Sequence, residues 1–374
     1  MGYLNDFLGL LDGECPQRVI WTADLDYWIT GREVEGTADP AWRTEAGFLE
    51  LCNRMCIMPY YFYGSRSGGV WQNAIWLAEA QYDATIALRC ERNGNKTTTV
   101  YTTPVGELVD QTEFMPSSCS QAHTKFPVQS NEDLEVFRYL IEHRRMEPVL
   151  VDRYAQRMAF WAKHDGLPSI AMPRSPLSAF FYEWAGIMNG VYLLMDHPDR
   201  VREIFALMHE QEKPAIDAVC RLAPPLVHFA DNMSSDNMAG FYREFMEQGH
   251  RYRIERFHGA GTKCVVHLDG VVRGLLPQLA SAGFDAIEAL TPQPGGDLEV
   301  EQMREAADSD RVILWGGVPG VLFAPPYGWK DMAEHVAKTL DAWRGTRFVL
   351  GVADQIPPDG EIEYCRRIAE IVGR

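Results

Sequence analysis

The chain has 374 residues, 46% hydrophobic and 11% aromatic, enough to bury a large core and too apolar for intrinsic disorder. It carries 35 Lys and Arg against 52 Asp and Glu, a net charge of −17, with no basic run. That argues against a nucleic-acid or anionic-membrane partner, because phosphate binding needs clustered cations. No apolar run approaches the roughly 18 residues needed to span a bilayer, and the acidic, amphipathic start does not read as a signal peptide. The eight cysteines contain no CxxC pair, which points to reduced thiols in a cytoplasmic protein.

In chain order, 3–12 read as a short amphipathic helix stopped by Gly13, and 18–22 (RVIWT) as a strand followed by an aromatic-acidic segment from Asp24 to Trp28. A helix over 41–55 leads to a tyrosine-rich strand over 57–63. Residues 81–114 alternate apolar and polar positions around Asn93-Gly94-Asn95, a strong hairpin signal. They are expected to form a β-hairpin insertion or lid on a single barrel domain spanning 1–374. Helices follow at 131–144 and 148–164, a strand at 169–172, short helices at 177–186 and 191–195, and a long helix from His197 to about 222. Strands at 226–230, 264–267, 286–290, 312–315 and 347–350 then alternate with helices at 239–256, 271–279, 298–308, 330–343 and 361–372. With the three earlier strands the count comes to about eight, which predicts an α/β fold of the TIM type, a closed (β/α)8 barrel rather than an open doubly wound sheet. No GxGxxG follows a strand and no P-loop pattern is present, so nucleotide-binding folds lose their main support.

If those strands close a barrel, their carboxyl ends gather Asp231, His267, Asp269, Glu288 and Asp354 at one mouth, with Arg174, Asn232 and Tyr63 nearby. One imidazole among several carboxylates suits a cation such as Zn2+, held by three protein ligands with one position open. His267 and Asp269 are two apart and point the same way from an extended strand, whereas Cys264 points oppositely. The ordinary readings compete. A lone His at a strand end is more often a hydrogen-bonded rim or core residue, and Asp269 and Asp354 suit turns or N-caps. Glu288 is harder to dismiss: Ala286, Ile287, Ala289 and Leu290 surround it, and a desolvated carboxylate needs a charged partner or a metal. His209, His250, His258 and His335 fall on helices or their ends and read as solvated. The aromatic clusters at 60–63 and 180–184 read first as core.

The run from His258 to Pro294 resembles the core signature of the uroporphyrinogen decarboxylase superfamily, a (β/α)8 barrel group. Within it, residues 13–19 (GECPQRV), 231–234 (DNMS), 267–270 (HLDG) and 287–294 (IEALTPQP) most resemble the corrinoid-dependent methyltransferase I components of anaerobic O-demethylases. Two departures narrow the likeness. The porphyrinogen decarboxylases resemble one another in an N-terminal Arg-Gln-Ala-Gly-Arg element that binds substrate carboxylates, where this chain reads TADLDY at 22–27. The zinc-thiol methyltransferases resemble one another in a His-x-Cys…Cys ligand set, where this chain has His267-Leu268-Asp269 and Asp354.

The resemblance implies a zinc-dependent methyltransferase that demethylates a methoxylated, aromatic substrate and passes the methyl group to the cob(I)alamin of a separate corrinoid protein. It implies metal ligands among His267, Glu288, Asp354 and Asp269, and catalytic roles for His267, Glu288 and Asp231. Tyr63, Arg174, Asn232 and Trp28 are the candidates for substrate contact, with Tyr60, Tyr61 and Trp184 as further walls for a ring. Two other readings stay open: a decarboxylase or methyltransferase using another donor, such as an amine or glycol ether, and a non-catalytic barrel that binds a tetrapyrrole or a corrinoid partner. The acidic, aromatic-rich composition is compatible with a homodimer.

Overall fold

Seven short apolar segments pair side by side, all parallel: β1 (Trp21–Thr22), β2 (Ala171–Met172), β3 (Leu226–Met233), β4 (Lys263–Leu268), β5 (Ala286–Leu290), β6 (Ile313–Pro319) and β7 (Phe348–Ala353). Their order is β1-β7-β6-β5-β4-β3-β2. Residues 57–63 fill the remaining gap. Met58 N–H donates to the Trp21 carbonyl, and Leu167 and Ser169 N–H donate to the carbonyls of Pro59 and Tyr60. The ring is thereby closed, and the chain folds as a (β/α)8 barrel. This computed structural model describes residues 2–64, 66–67, 70–71, 75–149 and 151–373, with side chains described outside 65–74 and 150–152.

Both faces of a parallel strand are buried, so the strands read as nearly continuous apolar runs, yet side-chain alternation still sorts them. Val227, Phe229, Cys264, Val266, Ile287 and Leu314 face the surrounding helices. Leu226, Val265, Ala286, Ile313, Trp315 and Val349 fill the barrel interior. The N-terminal helix Tyr3–Leu11 caps that interior from below with Tyr3, Phe7, Leu10 and Leu11, the Phe7 ring lying 5.2 Å from Trp315. One pleat above this apolar layer, the inward positions of β3, β4 and β5 are His228, His267 and Glu288. Strands approach so closely at β5 and β6 that a Cβ on Gly316 would lie 2.6 Å from the Leu290 backbone nitrogen. Glycine is therefore required there.

Three local expectations change. The aromatic-acidic segment after β1 continues into a helix, Asp26–Val34, which buries Trp28 and Ile29. Its buried residues run consecutively from Trp28 to Gly31, so no helical period shows in the sequence. The β-excursion is larger than a hairpin over 81–114. Strands Ala87–Asn93, Lys96–Thr103, Gly106–Met115 and Ser120–Lys125 form a four-stranded antiparallel sheet, and Ala78–Tyr82 pairs with Arg144–Pro148 at its neck. The turn at Ser118 carries this sheet back to the barrel, where the Tyr27 hydroxyl donates to the Ser118 carbonyl. The strand over 226–230 runs on to Met233 through a register shift after Phe229, with Asn232 at a φ of 51°. No helix of the described residues is long and apolar enough to cross a membrane.

Candidate metal centre

Register places the central residues. His267 on β4 pairs with Glu288 on β5, and His228 on β3 pairs with Val265, two residues before His267. Three inward side chains from three adjacent strands therefore meet. One donor atom from each of His228, His267 and Glu288 lies within 4.8 Å of the other two, and all three residues are buried. His267 Nδ1 is 2.6 Å from Glu288 Oε2, and His228 Nε2 is 3.6 Å from the same oxygen. The other Glu288 oxygen accepts a 2.6 Å hydrogen bond from the Tyr61 hydroxyl. On the far side of the His267 ring, Nε2 is 3.6 Å from Asp354 Oδ1.

The electrostatics follow from this crowding. Burial drives the His228 imidazole down to about 4, so it is neutral and its lone pair is free for a cation. Burial opposes charge on His267 too, but Glu288, Asp354 and Asp269 outweigh it and raise the group to about 10. Burial likewise opposes ionisation of Glu288, and His267, His228 and the Tyr61 hydroxyl overcome it and lower its pKa. Asp354 is pushed up to about 6 by burial and by Glu288 and Asp269, against the opposing pull of His267. Beside it, Asp24 is 1% exposed and accepts from the Tyr63 hydroxyl; burial, Asp26 and Asp354 raise its pKa well above the usual carboxylate range. Carboxylates gathered around one imidazole stabilise positive charge at this point, whether a proton or a cation carries it.

The donor set fits a metal. Two imidazoles and a carboxylate are the ligands that Zn2+ takes in three-ligand sites with a fourth position open. More telling is His228 Nε2, a buried nitrogen with no hydrogen-bond partner among the described residues, although Glu288 stands opposite it. A buried polar atom left unpaired costs roughly 1–3 kcal/mol and calls for an explanation. A cation seated between His228, His267 and Glu288 supplies one.

Several residues singled out in the sequence lie elsewhere. Asp231 is not at the cluster: Ser175 N–H and hydroxyl donate to its Oδ1 at 2.7 and 2.8 Å, and His250 Nε2 meets its Oδ2 at 2.9 Å. The register shift after Phe229 turns it into the wall. His250, expected to be solvated, is fully buried as its partner. Asp269 is exposed and outside the ligand cluster, because β4 ends at Leu268 and the two-residue alternation holds only in extended chain. Asp354 touches His267 from the opposite nitrogen and so lies outside the trio.

Trp28 is buried, its indole N–H held by the Gly360 carbonyl at 3.0 Å, and Trp184 packs 4.7 Å from Phe137 in the core. Arg174 and Asn232 do meet at the mouth, with Nη2 3.3 Å from Asn232 Oδ1 and Nη1 2.8 Å from Glu183. Sequence reasoning missed His228. The signal was available, a lone imidazole inside the apolar run LVHFA, the same argument that singled out Glu288.

The uroporphyrinogen decarboxylase (URO-D) family profile matches residues 121–374. Among solved structures the chain is similar to a methyltransferase from Methanosarcina mazei, with a TM-score of 0.61 at 12% identity over 100% of this chain and 98% of that one. At that identity the likeness shows the fold alone. A B12-independent methionine synthase from a Shewanella species overlaps with a TM-score of 0.43 at 13% identity, over 70% of this chain and 74% of that one, too little to argue from. No curated protein matches the chain. The family profile spans well over half of the sequence and includes every residue of the buried trio, and the chain belongs to the uroporphyrinogen decarboxylase (URO-D) family.

Proposed function

We propose that this protein is a zinc-dependent methyltransferase of the cytoplasm. In this reading it takes the methyl group from a methoxylated, aromatic donor and passes it to the cobalamin of a separate corrinoid protein. The observation that carries the reading is the trio His228, His267 and Glu288 at the mouth of the barrel, with the His228 nitrogen left unpartnered. The full-length fold likeness to a methyltransferase supports it, as does the resemblance of residues 231–234, 267–270 and 287–294 to the O-demethylase components. An eight-carboxylate porphyrinogen is disfavoured, because Asp354, Glu288 and Asp269 lie around the same space.

His228, His267 and Glu288 would hold the ion. When bound, it supplies a Lewis acid to the ether oxygen, whose departure as a phenolate is otherwise the obstacle. The remaining work belongs to the chain. Tyr61 fixes the orientation of Glu288 through Oε1, the kind of supporting hydrogen bond that sets both the geometry and the basicity of a ligand. Asp354 holds the opposite edge of the His267 ring. Asp24, whose pKa is raised well above the usual carboxylate range by burial and by Asp26 and Asp354, would be the acid beside the mouth that delivers a proton to the departing oxygen. Arg174, steadied by Glu183 and Asn232, suits a carboxylate on the donor's ring. The antiparallel sheet over 87–125, inserted between residues 57–63 and β2 and tied to the segment after β1 by Tyr27 and Ser118, would act as a lid.

The test combines composition with turnover. Elemental analysis of the purified chain should find one zinc per protein, and a screen of methoxylated aromatics with free cob(I)alamin should give methylation at the cobalt absorption band. Full zinc content in His228→Ala would remove that residue from the ligand set. A metal-free protein that takes up no zinc would end the reading.

A further inference from the structure

On the outer wall of the barrel, away from the trio, helices Pro198–Leu222 and Glu247–Gly259 part to leave a cavity of about 480 Å3. That is within the range of small-molecule sites. Phe205, Ile216 and Phe245 give it an apolar wall, and Tyr252 stands 40% exposed at its edge. Its floor holds Arg253, which is only 1% exposed. A guanidinium so far from water needs all its donors answered. Glu212 answers one side: Arg253 Nε is 3.2 Å from Oε2, and Nη2 pairs with the same oxygen. Nη1 has no hydrogen-bond partner among the described residues.

The available carboxylates do not make up the shortfall. Glu212 Oε2 is also approached by His209 Nδ1 at 3.6 Å, so one oxygen serves two bases. At the rim, Arg202 pairs with Glu244 and Lys213 with Glu210, each at 2.5 Å, so rim cations and anions cancel. What is left over is Nη1, a buried donor on a residue that lines an otherwise apolar slot. A charged acceptor makes about twice as strong a hydrogen bond there as a neutral one.

We infer that this cavity is a binding site for a small monocarboxylate with an aromatic body, its carboxylate on Arg253 Nη1 and its ring against Phe205, Ile216 and Phe245. Nothing in the proposed methyl transfer uses the site. Arg253 also faces Asp231 electrostatically, and the residue next to Asp231 is Asn232, which holds Arg174 at the mouth.

Benzoate is the probe, titrated calorimetrically into the full-length protein, with benzyl alcohol as the neutral isostere. Saturable benzoate binding with a Kd below ~1 mM is expected, and at least ~10-fold weaker binding of benzyl alcohol. Ala206→Trp fills the slot from an exposed position of the long helix and should weaken benzoate at least ~10-fold, with melting temperature and zinc content unchanged. Glu212→Gln with Arg253→Gln removes the buried charges together, so that neither is left unpaired, and should do the same. Arg174→Ala should leave benzoate binding intact. The inference is overturned if wild type shows no saturable binding up to ~10 mM, if Ala206→Trp binds like wild type, or if binding is lost in Arg174→Ala, which would place benzoate at the mouth instead.

Discussion

Two buried histidine–carboxylate pairs behave differently in this barrel, one joining β3 to the helix Glu247–Gly259 and the other joining β4 to β5. His250 and Asp231 are 2.9 Å apart, and His267 and Glu288 are 2.6 Å apart. The first pair is closed. Both Asp231 oxygens are taken, by Ser175 and His250, and the second ring nitrogen of His250 lies 3.3 Å from the Tyr242 hydroxyl. The second pair is open. A further imidazole, His228, faces Glu288 with its nitrogen unpartnered, and Asp354 crowds the free edge of His267. Both join an imidazole to a carboxylate, and both are buried. What separates a structural pair from a site is whether the local hydrogen bonding is complete without an outside group.

The largest expected effect breaks the open pair. His267→Ala should abolish zinc binding and lower methyl transfer by at least ~1,000-fold, while the closed-pair variant Asp231→Asn keeps one zinc per chain, as metal analysis would show. Zinc retained in His267→Ala would erase the distinction. Next, Asp231→Ala should cost roughly 3–5 kcal/mol in chemical denaturation, because His250 and Ser175 lose their buried acceptor. A loss below about 1 kcal/mol would mean that the network is not closed in the sense argued.

Acid should act on the same pair. Burial raises the Asp231 pKa, but His250, Arg253 and the Ser175 N–H outweigh it and hold the group at about 2, below the ordinary 3.8. A depressed carboxylate stabilises the fold above its unfolded pKa and loses that contribution as protons return. About 2 kcal/mol should therefore disappear as pH falls from about 4 through about 2, in wild type but not in Asp231→Asn. The smallest effect sharpens the open side. Tyr61→Phe removes only the hydroxyl that donates to Glu288 and should weaken zinc about 10-fold in a chelator competition.

Much of this was legible in the amino acids. Alternating strand and helix signals from residue 169 onward carried the barrel, because a parallel strand buried on both faces has to be apolar and its crossover helix amphipathic. Glu288 stood out for the same reason, as a carboxylate among Ala, Ile and Leu. His228 sits in an equivalent context, but inside the strand expected over 226–230, whereas Asp231 falls at that strand's carboxyl end. Asp231 is set back by a register shift after Phe229 that no local pattern announces. Asp269 was drawn in by counting two residues from His267 past the end of the strand.

Chain order and side-chain alternation, which are local properties, determined the architecture and the inward direction of His267 and Glu288. Which third residue joins them depended on the stagger between strands 39 positions apart in sequence, since His228 lies opposite Val265 and not opposite His267. Stagger in a closed barrel is settled by packing around the whole ring. The filling of every hydrogen-bonding group, which divides the closed pair from the open one, was likewise decided only when distant segments came together.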